Sequence, residues 1–548
     1  MSDGRTAHCL RLIVLIVVFA LLPVGNGAIG SPAAMVKGPL CGGTIVAAIQ
    51  TDPPHLNVGL GPVSIVRVPA NPIFEGLVKV SASLEKWEPE LARTWNVSQD
   101  GTRFTFNLIR NAKWHDGTPF TSADVKFTFE QVLKPIRERE IWDALLAVET
   151  PDPYTAIVRL SEPRAILAYP SIYWTEYGAP ILPRHLYEGT DFLKNPHNLK
   201  PVGTGAFKLK EWVRGSHITL ERNPDYYNKK LPYLDRVVFK VIPDPSAVVA
   251  AFETGDVDYA PFFAKDQASL VRKVKGIKAD GYGLVTGGIQ RVIFNHAHPI
   301  LSSLKVRQAL THAVDRKAIL DIAAQGLGTL TPTPFGSASP GIAWASDPKT
   351  KGLAFDVARA NRLLDEAGFP KKADGRFQIS LDVDRASSED VAGARLVRDM
   401  WKALDVDVRL NLVDAAARNS RLFNWEYEMT LVYIVQGPDP DRNRIMYHSG
   451  ALRKGTFGGL GMNYKNPRVD ELLDRGAKVV DRKERAKIYH EVEKLLVEDA
   501  VNIWIYEHLW IMPYRTDFVG APGYYPPTIT KFEDPTSVWW VKGRECGR

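Results

Sequence analysis

The stretch from Pro201 to Ala260 constrains the fold of this chain most, because its side-chain period changes several times in quick succession. Ala206–Trp212 and His217–Glu221 alternate apolar and polar residues on either side of Arg214-Gly215-Ser216, which predicts a hairpin. Asn223-Pro224-Asp225 ends the second strand with turn chemistry. Val237–Ile242 is a β-branched run that predicts a buried strand. Asp244-Pro245-Ser246 caps a helix over Ala247–Glu253, Thr254-Gly255 closes it, and Val257-Asp258-Tyr259 starts another strand. None of this is a catalytic constellation.

At 548 residues the chain is too long for one hydrophobic core, so two or more domains are expected. With 45% hydrophobic and 24% charged residues it reads as ordered and globular. The net charge of +7 is small for this size, and Lys and Arg are interleaved with Asp and Glu. That pattern predicts a solvated surface and no nucleic-acid partner. Arg5 and Arg11 precede the apolar run Leu12–Leu22, and Pro23 and Gly25-Asn26-Gly27-Ala28 follow. This is the shape of a secretory signal peptide over residues 1–28, with cleavage near Ala28 or, alternatively, at Ala33 or Ala34; the run is too short to span a membrane. Of three cysteines, Cys9 leaves with the signal and Cys41 and Cys546 remain. Leu40 before Cys41 is a poor fit to a lipoprotein cleavage site, so a free periplasmic protein is expected.

Further along, Asp100-Gly101 separates Trp95–Val97 from the alternating Thr102–Leu108, another hairpin. Thr121-Ser122-Ala123-Asp124 resembles a capping box before a helix over Val125–Leu133. A helix is expected over about Lys305–Ala324, and a loop over the Gly- and Pro-rich Gly326–Gly341. The strand Phe377–Val383, the helix Val391–Leu404 and the strand Val406–Leu412 form a β-α-β unit, which predicts parallel pairing. Met429–Val435 is the next strand; two amphipathic helices, Asp470–Val480 and Glu484–Asp499, precede a strand over Val501–Tyr506.

Signs of catalysis are sparse. His115 and Asp116 sit beside Gly117 in a turn with no third partner at ligand spacing. His296 and His298 precede Pro299, which favours a surface turn over a metal site. Gly450 and Gly455 have phosphate-loop spacing, but Thr456 stands where Lys is required. No G-x-S-x-G and no H-E-x-x-H occurs. No cofactor and no metal are expected.

Several short motifs fall in a consistent order: Trp114-His115-Asp116-Gly117-Thr118-Pro119-Phe120, Pro201-Val202-Gly203-Thr204-Gly205, Tyr233-Leu234-Asp235 and Gly255-Asp256-Val257-Asp258. Together they resemble the solute-binding proteins of ABC importers, in the large peptide/nickel/oligosaccharide-binding family (family 5), over nearly the whole mature chain. The resemblance implies an α/β, two-lobed periplasmic-binding-protein fold with the ligand cleft between the lobes. It implies a first lobe over about 42–290, carrying an extra subdomain at about 84–200, a second lobe over 291–512, and a return of 513–548 to the first. It also implies a monomeric, non-enzymatic receptor that delivers a peptide-like or other polar organic solute to an inner-membrane ABC permease. A periplasmic hydrolase of peptides or saccharides, and a chaperone-like binder, are the alternatives. Because both chain ends would lie in the first lobe of an exported protein, a Cys41–Cys546 disulfide is expected.

In relatives the region of Gly59–Ala70 lines the cleft, which makes Gly61 and Ser64 candidate ligand contacts; an ordinary connecting loop is the alternative. Peptide-binding relatives hold the ligand's α-amine on an aspartate in a Trp-Gly-x-Asp-x-x-Asp-Pro pattern. Here the segment is Tyr433-Ile434-Val435-Gln436-Gly437-Pro438-Asp439-Pro440, so Gln436 stands where that aspartate belongs. A neutral amide gives an ammonium no countercharge, which disfavours an essential α-amine and favours an oligosaccharide, a modified peptide or an opine-like ligand. Asp439 and Asp441 would restore amine binding if the loop is shifted, which keeps ordinary oligopeptides open. Tyr433 either stacks on the ligand or packs in the core. Arg385 is the nearest match to the arginine that clamps a ligand carboxylate in dipeptide-binding relatives, or else a surface residue.

Overall fold

The computed structural model describes residues 40–546 apart from 62–63, 82–85, 137–138, 169–171, 262, 264, 284–287, 337, 339–340, 438, 456–461, 520–538 and 541–543. The signal-like run lies outside the described residues, as does the side chain of Ser64.

The first lobe is built on the stretch from Pro201 to Ala260. Phe207–Val213 and His217–Arg222 form the expected hairpin, turning at Gly215, whose φ of 71° suits glycine. Arg236–Val241 pairs antiparallel with the second of these strands and parallel with Thr44–Ile49. The sheet buries Phe207, Ile218, Leu220, Val237 and Phe239 on one face. The helix Pro245–Thr254 starts where the Asp244 carboxylate accepts from the Ala247 N–H at 2.9 Å, and ends at Gly255 in the left-handed region.

A second four-stranded sheet orders Ala92–Val97, Arg103–Leu108, Thr155–Leu160 and Leu145–Asp152. Trp174 fills its core, with ring centroids 4.9 Å from both Phe104 and Phe106 and 5.2 Å from Trp142. The Thr121 N–H donates to Asp124 at 2.9 Å, so the cap works with Asp in place of Glu. The helix it starts, Ser122–Phe127, widens into a π-helical segment over Thr128–Leu133.

The second lobe contains the expected parallel pair: Phe377–Asp384 lies beside Val406–Val413, connected through the helix Ser388–Trp401. Met429–Val435 extends the sheet on the other side of Phe377–Asp384 and pairs antiparallel with Gly288–Phe294. Two expectations fail locally. The single helix over Lys305–Ala324 is two helices, Leu304–His312 and Arg316–Ala323, because the Asp315 side chain caps the second by accepting from Ala318 N–H at 3.0 Å. The loop over Gly326–Gly341 contains a short strand, Gly328–Leu330.

The largest departure is the last long strand. It runs over Asn502–Arg515, well past the expected end at Tyr506. Its first half pairs with Gly288–Phe294, from Ile293↔Asn502 to Ile289↔Glu507. Its second half pairs with Ile277–Gly283, from Gly283↔Leu509 to Ile277↔Arg515. Tyr514 and Ile511 also bridge to Tyr259 and Phe263, and Tyr259 bridges to Ala47 of the first sheet. One strand therefore belongs to both lobes and changes partner around Glu507–Leu509.

The two ends of the described chain meet. Leu40–Cys41 pairs antiparallel with Arg544–Glu545, and Cys41 and Cys546 are joined in a disulfide with Cα atoms 4.9 Å apart. Replacing both cysteines by serine should lower stability by about 2–4 kcal/mol in chemical denaturation. Thiol titration of the protein lacking its first 28 residues, in denaturant without reductant, should find no free thiol; two free thiols would contradict the bond.

Candidate functional site

Between the lobes lies a cavity of about 1180 Å³. The first lobe supplies its wall from the end of a sheet strand (Ile49–Thr51), from Ile65 and Val68 on the helix Ser64–Ala70, and from Asp244–Ser246. The loop around Phe263–Gln267 completes that side. The second lobe supplies the first turn of the helix Ser388–Trp401, Arg418, and Tyr433 and Val435 from one sheet strand. His508 and Trp510 come from the strand that both lobes share.

A connected polar network forms the floor. Lys265 from the first lobe donates to Glu389 of the second at 3.0 Å, and Tyr506 OH donates to the same carboxylate oxygen at 2.5 Å. Lys265 also donates to His508 Nδ1 at 3.1 Å. An ammonium only donates, so Nδ1 must accept and the imidazole hydrogen sits on Nε2, which donates to Gln290 Oε1 at 3.2 Å. The Gln290 amide donates to Asp390 Oδ1 at 2.7 Å, and Arg418 donates to Asp390 Oδ2 at 3.2 Å. Burial, with Lys265 beside it, holds His508 well below the usual imidazole range, so the ring is neutral. Burial also lowers the Lys265 pKa against the pull of Glu389, and pushes Asp390 up to about 6 despite Arg418. Above the network Tyr433 and Trp510 meet edge to face, with centroids 5.8 Å apart.

Side-chain contacts that tie the lobes among the described residues include Lys265–Glu389, Arg442 Nη1 donating to Tyr173 OH at 3.2 Å, and Lys478–Glu162 at 2.8 Å. The second and third are attached to the subdomain core and its flank; the first is the most buried ion pair of the set.

Of the candidate residues read from sequence whose side chains are described, Tyr433 alone lines this cavity. Gln436 is fully buried, just past the end of the strand, and does not line the cavity; on the strand itself Tyr433 and Val435 face the cleft while Ile434 packs in the opposite core. Asp439 is committed to Arg485, which grips both carboxylate oxygens at 2.5 and 2.6 Å in a buried pair. Arg385 points outward, with a side chain 63% exposed and Asp414 3.6 Å away; the arginine the cleft presents is Arg418. Gly61 does not line the cavity, and Ser64 contributes the backbone that starts a cleft-lining helix. Lys265, Gln290, Glu389, Asp390, Arg418 and His508 carry no local motif. Glu389 and Asp390 follow Ser387, whose hydroxyl caps the helix, so in sequence they read as an acidic first turn.

His115 and Asp116 are structural. His115 Nε2 meets the Gly205 carbonyl at 2.9 Å, and Asp116 pairs with His185 at 2.7 Å. His296 Nε2 meets the Val501 carbonyl at 3.0 Å, and His298 lies 3.9 Å from Glu428. Among the described residues no three metal-ligating side chains cluster, and no helix is long and apolar enough to cross a membrane.

A second cavity, of about 1050 Å³, lies wholly among residues 71–231 of the first lobe. Buried Glu75, Glu90 and Glu176 line it, and Tyr226 and Tyr227 donate to Glu75 at 2.7 and 2.8 Å. Burial pushes Glu75 up to about 7, opposed by these hydroxyls and Lys79.

Residues 86–454 match the family described as bacterial extracellular solute-binding proteins, family 5, middle. The chain belongs to that family. It is 27% identical over 529 residues to the oligopeptide-binding protein AppA of Bacillus subtilis, covering 92% of this chain and 93% of that protein. The structure of AppA with a nonapeptide superposes with a TM-score of 0.77 at 24% identity, covering 92% of this chain and all of that one. The structure of AgaA from A. tumefaciens R10 with agropinic acid gives a TM-score of 0.72 at 27% identity, covering 91% and 99%.

Two outcomes follow from these charges. Glu389→Gln leaves the half-buried Lys265 ammonium without its countercharge and should cost about 2–4 kcal/mol in urea unfolding, while the paired Lys265→Met, Glu389→Leu change recovers most of it; equal losses in both variants would contradict this. An acid whose folded pKa exceeds its unfolded one holds its proton more tightly when folded, so the Glu75 contribution to stability falls as pH rises from about 4.5 to about 7. Glu75→Gln, which copies the protonated form, should therefore gain melting temperature relative to the parent between pH 5 and 7.5. A difference that does not change with pH would refute the assignment.

Proposed function

We propose that this protein is a periplasmic receptor that captures a peptide-like or other polar organic solute by closing its two lobes and delivers it to an ABC-type permease of the inner membrane. The observation that carries this reading is the cavity between the lobes, floored by a strand that both share. Such a strand lets the lobes rotate about a fixed line while the walls keep their shape, which is compatible with the hinge closure of periplasmic binding proteins around their ligands. In this reading the lobes are residues 42–290 with 513–548, and 291–512, and the working form is a monomer.

At about 1180 Å³ the cavity exceeds the roughly 300–1,000 Å³ of small-molecule sites, which favours an extended ligand such as an oligopeptide. Opine-like conjugates, modified peptides and oligosaccharides remain within the class. Gln436 is not among the residues that line the cavity, so in this reading its neutral amide gives no ground for disfavouring a free α-amine. Binding without turnover is supported by His508, whose two nitrogens are both engaged, by Lys265 and Gln290, leaving neither to activate a hydroxyl.

Native mass spectrometry of protein purified without added ligand should show retained solute released intact on denaturation. Small-angle scattering of the emptied protein should give a larger radius of gyration, which shrinks when the solute is returned. Fragments of the solute accumulating on incubation would instead establish a hydrolase.

A further inference from the structure

The charges that line the cleft are unbalanced in one direction. Among the described residues, five carboxylates face the cavity, Asp244, Asp266, Asp384, Glu389 and Asp390, against two cations, Lys265 and Arg418. Both cations are already taken, Lys265 by Glu389 and Arg418 by Asp390. Asp244, Asp266 and Asp384 have no ion-pair partner; the first and third accept only the backbone N–H groups of Ala247 and Ala386. They stand on both walls, Asp244 and Asp266 on the first lobe and Asp384 on the second.

Two helix N-termini also open on the cleft, those of Pro245–Thr254 and Ser388–Trp401, each worth about half a positive charge. Neither is left for an anionic ligand. Asp244 caps the first, and Glu389 and Asp390 occupy the first turn of the second. His508 is neutral and adds nothing. The aromatic wall points the same way: Tyr433 and Trp510 present rings to the cavity, and Lys265 already lies over the Tyr506 ring at 5.7 Å.

From this imbalance we infer that the cleft selects ligands carrying net positive charge, an ammonium or guanidinium beyond any that a ligand carboxylate neutralises. The inference rests on the receptor reading above and narrows its ligand class. The excess carboxylates draw in the cationic ligand, closure brings the two walls' charges onto it, and an acidic ligand meets three uncompensated carboxylates and no free cation.

The test is calorimetry of the emptied protein with Ala-Lys-Ala-Ala, Ala-Gln-Ala-Ala and Ala-Glu-Ala-Ala, and with the glucosamine tetramer against its N-acetylated form. At low salt the lysine peptide should bind at least about tenfold more tightly than the glutamate peptide, a gap that narrows at about 0.5 M salt as the Debye length falls to a few ångströms. The variant Asp244→Asn, Asp266→Asn, Asp384→Asn keeps every cap acceptor and should lose the bias while its melting temperature is unchanged. Equal affinities, an acidic preference, or a bias that survives in the triple variant would overturn the inference and leave peptide delivery standing. Binding of glucosamine over its acetylated form with no peptide bound would do the reverse. Failure of all five probes to bind would overturn both.

Discussion

Everything about the cleft depends on one strand being shared. Asn502–Arg515 satisfies its backbone groups first against Gly288–Phe294 and then against Ile277–Gly283, so the lobes are joined by continuous sheet hydrogen bonding. A flexible linker would let the lobes wander; a ladder allows twist and bend but resists separation. The residues at the change of partner are Glu507, His508 and Leu509, and His508 is also the centre of the polar floor. The change of partner and the polar floor thus share His508, so a twist of the strand at that point is felt directly by the network.

That network is arranged so that each charge has a stated partner. Lys265 reaches across from the first lobe, Glu389 receives it, and His508 passes the hydrogen-bond direction through Gln290 to Asp390, which also accepts from Arg418. In a low-dielectric floor such a chain favours one geometry, because breaking any link strands a buried polar group. The pairing joins the two walls and engages both cations of the described cleft lining, while Asp244, Asp266 and Asp384 stay outside any ion pair among the described residues.

Much of the fold could be read in the residues. The hairpin about Gly215, the helix capped by Asp244, and the β-α-β unit from Phe377 to Leu412 all announce themselves through period and cap chemistry, which are local. The family, too, was legible from short motifs in order. The site was not. Lys265, Gln290, Glu389, Arg418 and His508 are scattered over more than two hundred residues and meet only through sheet order. Of the segment read against the family pattern, Tyr433 lines the cavity, whereas Gln436 and Asp439 lie outside its lining. Gln436 is buried just past the strand's end, and Asp439 is claimed by Arg485, whose position no sequence spacing reveals. The shared strand was cut short at Tyr506 because Glu507 and His508 interrupt its apolar run, although those polar residues mark its crossing.

The joining of Cys41 to Cys546 makes the intervening chain a closed covalent ring whose fastening points lie 505 positions apart in sequence. A single peptide-bond cleavage anywhere in that ring opens it but yields no separate fragment. A receptor working among extracytoplasmic proteases would then survive one nick in a surface loop as a single molecule, with both lobes, the shared strand and the cleft still covalently attached, and would come apart only when a second cut or a reductant followed.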